Sequence, residues 1–229
     1  MSPRKYQMTR RSAAAEQTRA RIVAATVVAH RELGINATSW DEIARRAGVG
    51  VGTVYRHFPS LDQLLPACGE VVAGTLALPA AGDIGDLFSG TSGAGPRIER
   101  LVAEVFGIYQ RGAPFIDNIR RERRQLPQLE EYHRQIEETL DALTSEALQP
   151  LTPSRHARDV VRALIDLPAW RAFTDRGFTT DQAIQIVSRL IECSLGWHPS
   201  GAAAPEAEDQ HHPRRRRRQS RPVPNRPTG

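Results

Sequence analysis

Cysteine is scarce in this chain: two among 229 residues, Cys68 and Cys193. They lie far apart, with no histidine at metal-ligand spacing, which argues against a disulfide framework and against a cysteine–histidine metal site. Both are expected to be buried thiols of a reducing cytoplasm. Catalytic patterning is missing as well. Seven histidines are scattered, no glycine-rich phosphate loop follows a strand, and no Cys–His or Ser–His–Asp set stands out. Paired acids such as Glu130–Glu131 and Glu137–Glu138 fall on the polar side of a helix, where carboxylates are usually solvated. No enzyme activity, cofactor or metal site is assigned. The chain opens without the basic-then-apolar start of a signal peptide, and its longest apolar run is far short of a membrane span. The expectation is a soluble intracellular protein with no membrane partner.

What the chain does have is concentrated between Thr38 and Leu65. Ser39 followed three residues later by Glu42 reads as a capping box that starts a helix at Trp40. Ile43, Ala44 and Ala47 form its apolar stripe, Gly48 suits the left-handed residue that ends it, and Val49 plugs the corner. A second helix from about Val51 buries Val54 and Phe58, one turn apart, and leaves Thr53, Tyr55, Arg56 and His57 outward. Pro59 stops it, and Ser60 with Gln63 caps a third. Small residues at the crossing let two helices approach closely across a glycine turn, the unit that sets a helix into the major groove of DNA. Two packed helices of an ordinary bundle would need neither the turn residues nor that polar face.

Charge supports the same reading. Residues 1–60 carry ten Lys/Arg against four Asp/Glu, a net of +6, while residues 61–198 carry fourteen against nineteen, a net of −5. The total of +5 therefore hides a basic head on an acidic body. Such segregation points to a polyanion as partner of the head alone, through release of phosphate counterions. Arg10, Arg11, Arg19 and Arg21 precede or open a first helix, whose stripe is Ile22, Ala25, Ala29 and Leu33 and whose stop is Gly34.

Gly34, Ser39, Ile43-Ala44, Ala47-Gly48-Val49, Gly52-Thr53-Val54-Tyr55 and His57-Phe58 together resemble the signature of the tetracycline-repressor (TetR) family of transcriptional regulators, over roughly residues 18–65. The resemblance implies that Thr53, Tyr55 and His57 bond phosphates and that Gly50, Val51 and Gly52 meet base edges. Arg45 and Arg46 face a phosphate, a base or simply solvent, and Arg56 belongs to the same exposed face. Two positions depart from the family pattern: Gly50 stands where many relatives have Ser, and Leu61 where they have Lys. The first removes a capping oxygen and the second a cationic phosphate contact, so a shallower salt dependence is expected.

The rest reads as helix, giving an all-α fold: a basic N-terminal arm (1–17), a three-helix helix-turn-helix domain (18–65), a helical effector-binding and dimerisation domain (66–198) and an Arg-rich tail (199–229). A helix over 61–78 turns Leu64, Leu65, Cys68, Val71, Val72 and Leu76 inward, and a Gly/Ala/Ser-rich loop follows. Pro96 opens a helix that Gly112 breaks, Pro114 opens its successor, and Pro127 opens a long amphipathic helix with Leu129, Tyr132, Ile136, Leu140, Leu143 and Leu148. Pro168 kinks a run over 154–173, and Thr180 caps the last helix. That helix is apolar on more than one face, through Ile184, Ile186, Val187, Leu190, Ile191 and Leu195. The surplus points to a homodimer through residues 154–198, with Ile191 in the interface. The resemblance implies the same dimer, which would read a palindromic double-stranded operator. Phe106, Tyr109, Phe115, Ile119, Trp170 and Phe173 are candidates to line an effector pocket, with Arg120 available to an acidic group. The effector is then a small apolar or amphipathic molecule that releases a repressor. The other reading is a constitutive or architectural DNA-binding protein with no effector. The tail, with His211-His212 and Arg214 to Arg218, is too polar for a core and reads as disordered. It either adds nonspecific DNA affinity or has no role.

Overall fold

The computed structural model describes residues 3–196, with side chains from residue 12 onward, and every regular element among them is a helix. In chain order these are α1 (Pro3–Leu33), α2 (Trp40–Ala47), α3 (Val51–His57), α4 (Leu61–Leu76), α5 (Ile84–Leu87), α6 (Ala94–Glu122), α7 (Pro127–Leu148), a 3-10 turn (Gln149–Leu151), α8 (Arg155–Leu164), α9 (Leu167–Thr174) and α10 (Thr180–Ser194). The all-α expectation holds. No helix of the described residues is long and apolar enough to cross a membrane. The expected tail over 199–229 lies outside the described residues.

Two apolar cores organise the helices. The first joins Ile22 and Val23 of α1, Ile43, Ala44 and Ala47 of α2, Val54 of α3, Phe58 just beyond it, and Leu64, Ala67 and Cys68 of α4. The second gathers most of α6 and α7 with parts of α8 and α10, and takes Leu65 and Leu76 from α4. Thus α4 belongs to both cores, and the expected boundary after residue 65 falls inside a helix. A helix that turns one face to each core is a stiff coupling, unlike a loop between domains.

Further contacts fix the head on the body. Glu122, the last residue of α6, accepts hydrogen bonds from the backbone N–H of Ile35 (3.3 Å) and of Asn36 (2.8 Å). Asn118, one turn earlier, donates from Nδ2 to the carbonyl of His30 (2.6 Å), and Asn36 donates to Gln125 (2.7 Å). Gly34, at φ +93°, brings the chain in; a Cβ there would lie 2.6 Å from Glu122 Oε1. Gly34→Ala is therefore expected to lose about 1–2 kcal/mol from the left-handed backbone alone, and more from the displaced carboxylate. Urea unfolding checks this, and an unchanged midpoint would remove the close approach from consideration. On the other side, Arg111 donates to the carbonyl of Leu76 (2.9 Å), which ends α4, and Gly112 lies against Leu76 too closely for any Cβ.

Several local expectations are corrected. Helix α1 already runs from Pro3, so Arg10 and Arg11 fall within it and the expected arm is helical from that residue. Leu33 and Val71 are exposed; the stripe of α1 is completed by Thr26 and His30 instead, both buried. Cys68 is buried but Cys193 is exposed. Helix α6 begins at Ala94, two residues before Pro96, and continues through Pro114 with a kink at Gly112 (φ −143°, ψ 18°). Pro168 does not kink a helix: α8 has ended, and the proline sits in the first turn of α9, where its missing N–H is harmless. The cap of α10 is Thr179, with a reciprocal box to Gln182. Ser60 caps α4 without a side-chain bond. The last helix buries Ala183, Val187 and Ile191, and Ile191 is wholly enclosed within its own protomer.

Candidate nucleic-acid interface

The turn between α2 and α3 is built from its own residues. Ser39 Oγ accepts from the N–H of Glu42 (3.2 Å) and so starts α2. The reciprocal half of the expected capping box is replaced, because the Glu42 carboxylate accepts from Arg45 (2.6 and 2.9 Å) and from Arg46 (2.6 Å). Those guanidiniums, Arg45 first, pull the Glu42 carboxyl down to about 2. Gly48 takes the left-handed conformation (φ 64°, ψ 41°), and Val49 N–H returns to the carbonyl of Ala44 (3.1 Å). Gly50 then caps α3 with backbone alone.

Helix α3 is short, and its sides separate sharply. Val54 and the following Phe58 are buried, whereas Val51, Gly52, Tyr55 and Arg56 are exposed and Thr53 and His57 are half-buried. Tyr55 is 45% exposed although its ring rests on Trp40, with centroids 4.9 Å apart. That contact holds a large polar-tipped side chain at the surface in a fixed attitude, which lowers the entropy lost on meeting a partner. Arg56 reaches toward the Thr53 hydroxyl (3.4 Å). A groove beside α3 is lined by Thr53, Arg56 and His57 together with Thr18 and Arg21 of α1. It thus joins the expected face to a second helix that the turn motif does not include.

The arginines of α2 differ. Arg45 has a largely exposed side chain that pairs with Glu42; Arg46 is mostly covered and bridges Glu42 and Glu32 (2.7 Å). Arg46 therefore braces α2 on α1, and Arg45 keeps its guanidinium near solvent. Arg19 lies over the Phe58 ring, 4.8 Å from its centroid, so its stem and charge cover the small core of the head.

The seven expected effector contacts do not share one cavity. Phe115 and Ile119 line a cavity of about 120 Å³. Phe106 and Tyr109 are buried in the second core, and Trp170 packs on Tyr109 with ring centroids 6.1 Å apart. Phe173 packs edge-on against Phe178. Arg120 donates to Glu137 (2.9 Å) and Asp166 (2.6 Å), so an acidic ligand there would have to compete with two carboxylates.

Residues 22–68 match the model of the bacterial regulatory proteins of the tetR family, the span that holds α2, α3 and most of the head core. The fold is similar to that of a transcriptional regulator from Rhodococcus sp. Rha1, at 20% identity, a TM-score of 0.59, and coverage of 79% of this chain and 99% of that one. It is also similar to a TetR transcription regulator from Haloarcula marismortui ATCC 43049, at 19% identity, a TM-score of 0.52, and coverage of 79% and 97%. No curated protein sequence matches at a significant level. The family match is thus carried by the head: residues 22–68 are similar to the DNA-binding domain of the tetR family of bacterial regulatory proteins, and the helical fold beyond them is like that of the solved regulators.

Proposed function

We propose that the protein is a ligand-responsive repressor that binds a palindromic operator as a homodimer. The observation that carries the reading is the face of α3, where Thr53, Arg56 and His57 stand beside Tyr55, itself braced on Trp40. Thr53, Tyr55 and His57 take phosphates, and the exposed start of the helix at Gly50, Val51 and Gly52 approaches base edges. Arg45, exposed on α2, adds a phosphate contact, and Arg21 of α1 completes the groove. Arg46 supports the interface from behind.

Dimerisation through residues 154–198 is supported by apolar side chains that one protomer leaves outside. Leu190 of α10 and Phe178 before it are exposed, and a second copy related by a two-fold axis would cover both. The two heads would then address major grooves about 34 Å apart, so a small change in the body suffices to spoil their spacing. An effector acts by preferring one spacing over the other; a hundredfold shift needs about 2.7 kcal/mol of preference.

The test starts with selection of bound fragments from random duplex DNA, which yields the operator. Tyr55→Ala is then expected to weaken binding by about 1–2 kcal/mol, and by similar factors for operator and unrelated duplex, because a phosphate contact carries no base information. Parental affinity in the Tyr55→Ala protein would remove Tyr55 from the interface, and failure of the chain to select any sequence would end the regulator reading.

A further inference from the structure

The cavity of about 120 Å³ lies where head and body meet. Its walls come from α1, α4, α6 and α7 and include His30, Cys68, Val72, Asn118, Ile119 and Tyr132. Among the described residues, no Lys, Arg, Asp or Glu lines it. We propose that this cavity binds a small, uncharged, largely apolar molecule, and that the occupant acts on the head through the turn of α6 that carries Asn118 and Glu122. The proposal rests on the ligand-responsive reading above and specifies both the ligand and its route.

Size and chemistry set the ligand class. An apolar cavity of about 150 Å³ is known to accept benzene or xenon, so the space suits an aromatic ring or a short branched chain. A charged ligand would leave water for walls that carry no counter-charge, and desolvation penalises that heavily. Burial holds the His30 imidazole down at about 4 and pushes the Cys68 thiol up to about 12, so both wall groups are neutral near pH 7. Asn118 is already committed, with Nδ2 on the His30 carbonyl and Oδ1 accepting from Arg121 (2.6 Å). The His30 imidazole, the Tyr132 hydroxyl and the Gln135 carboxamide are the wall groups able to meet one polar end of a ligand.

The position supplies the route. His30 belongs to α1 and Asn118 to α6; both line the cavity, and a 2.6 Å bond from Asn118 Nδ2 to the His30 carbonyl joins them. One helical turn beyond Asn118, Glu122 holds the two N–H groups that lead from α1 into the helix-turn-helix. An occupant that pushes Ile119 and Asn118 therefore moves the grip on the head directly. Only differential affinity for the two arrangements makes this a switch.

Three probes on the full chain test the site: benzene, benzyl alcohol and benzoate. The first two are expected to raise the melting temperature, and benzoate to leave it unchanged. Val72→Phe, which fills the cavity, is expected to abolish the rise; Ile119→Phe serves if the first variant fails to fold. A rise that persists in the filled variant, equal binding of benzoate, or no rise with benzene overturns the site. In the parent, benzyl alcohol is expected to weaken operator binding at least several-fold. Glu122→Gln, with one acceptor in place of two, is expected to bind benzyl alcohol yet lose most of that response. An undiminished response overturns the route through α6. A chain that binds no operator would defeat the regulator reading instead, while the melting readout would still decide the cavity.

Discussion

Replacing Ile191 with aspartate is expected to unfold the protein, whereas Leu190→Asp is expected to leave each protomer folded and separate the proposed dimer. The two residues are adjacent on α10 but belong to different surfaces. Ile191 is 0% exposed within its own protomer, on the stripe formed with Ala183 and Val187; Leu190 is 46% exposed. A carboxylate forced into the enclosed site loses its hydration without a partner, at several kcal/mol. That is much of the roughly 5–15 kcal/mol that holds a domain folded. The same charge at position 190 stays wet in the monomer and is buried only when two copies meet. Circular dichroism melts and light scattering on both variants distinguish the cases. A cooperative, parent-like melt for Ile191→Asp would contradict the core assignment. A parental dimer in Leu190→Asp would move the interface elsewhere, and a monomeric parent at micromolar concentration would end the dimer reading.

Stability is expected to fall as the pH drops from about 6.5 towards 4, and His30 is the main cause. Burial lowers its pKa from 6.5 to about 4. In that interval the unfolded chain takes up a proton that the folded chain refuses, so the contribution of His30 is complete above pH 6.5 and lost as the pH falls. A displacement of this size corresponds to about 3 kcal/mol. Cys68 and Tyr132, which share the cavity wall, are both shifted upward and do not titrate in the window. His133 is also lowered, chiefly by burial, and contributes in the same direction. Urea unfolding of the parent and of His30→Gln at pH 7.5 and 4.5 isolates the first histidine. If the two proteins lose the same stability between those pH values, His30 is not the group responsible.

The helix-turn-helix was legible because its determinants are local. Ser39 and Glu42, Gly48, and the spacing of Val54 and Phe58 each act within a few residues, and all return in the structure, with the Glu42 carboxylate diverted to two arginines. The last helices were half legible. Apolar periodicity marks α10 as doubly apolar but does not tell which stripe meets its own core; Ile191, expected in an interface, lies in that core. The cavity was the least legible part. Phe106, Tyr109, Phe115 and Ile119 share one helix and one degree of apolarity, yet only the last two line it. The kink at Gly112 separates the pairs, and periodicity carries no record of such a break's angle. Glu122 was hidden among the charges of Arg120 to Arg124, where a carboxylate reads as solvated; its partners are backbone N–H groups 86 and 87 residues away.

That separation orders events on the ribosome. The amides of Ile35 and Asn36 emerge long before the carboxylate that will hold them, a delay on the order of ten seconds at usual elongation rates. Until then they are bonded to water, and the head can assemble its small core around Phe58 without a fixed attitude. The turn of α6 arrives with synthesis of the body and closes a long loop, an entropic cost that grows only slowly with length. A nascent chain thus presents α3 early but acquires the attitude of its head late, once the body has been made.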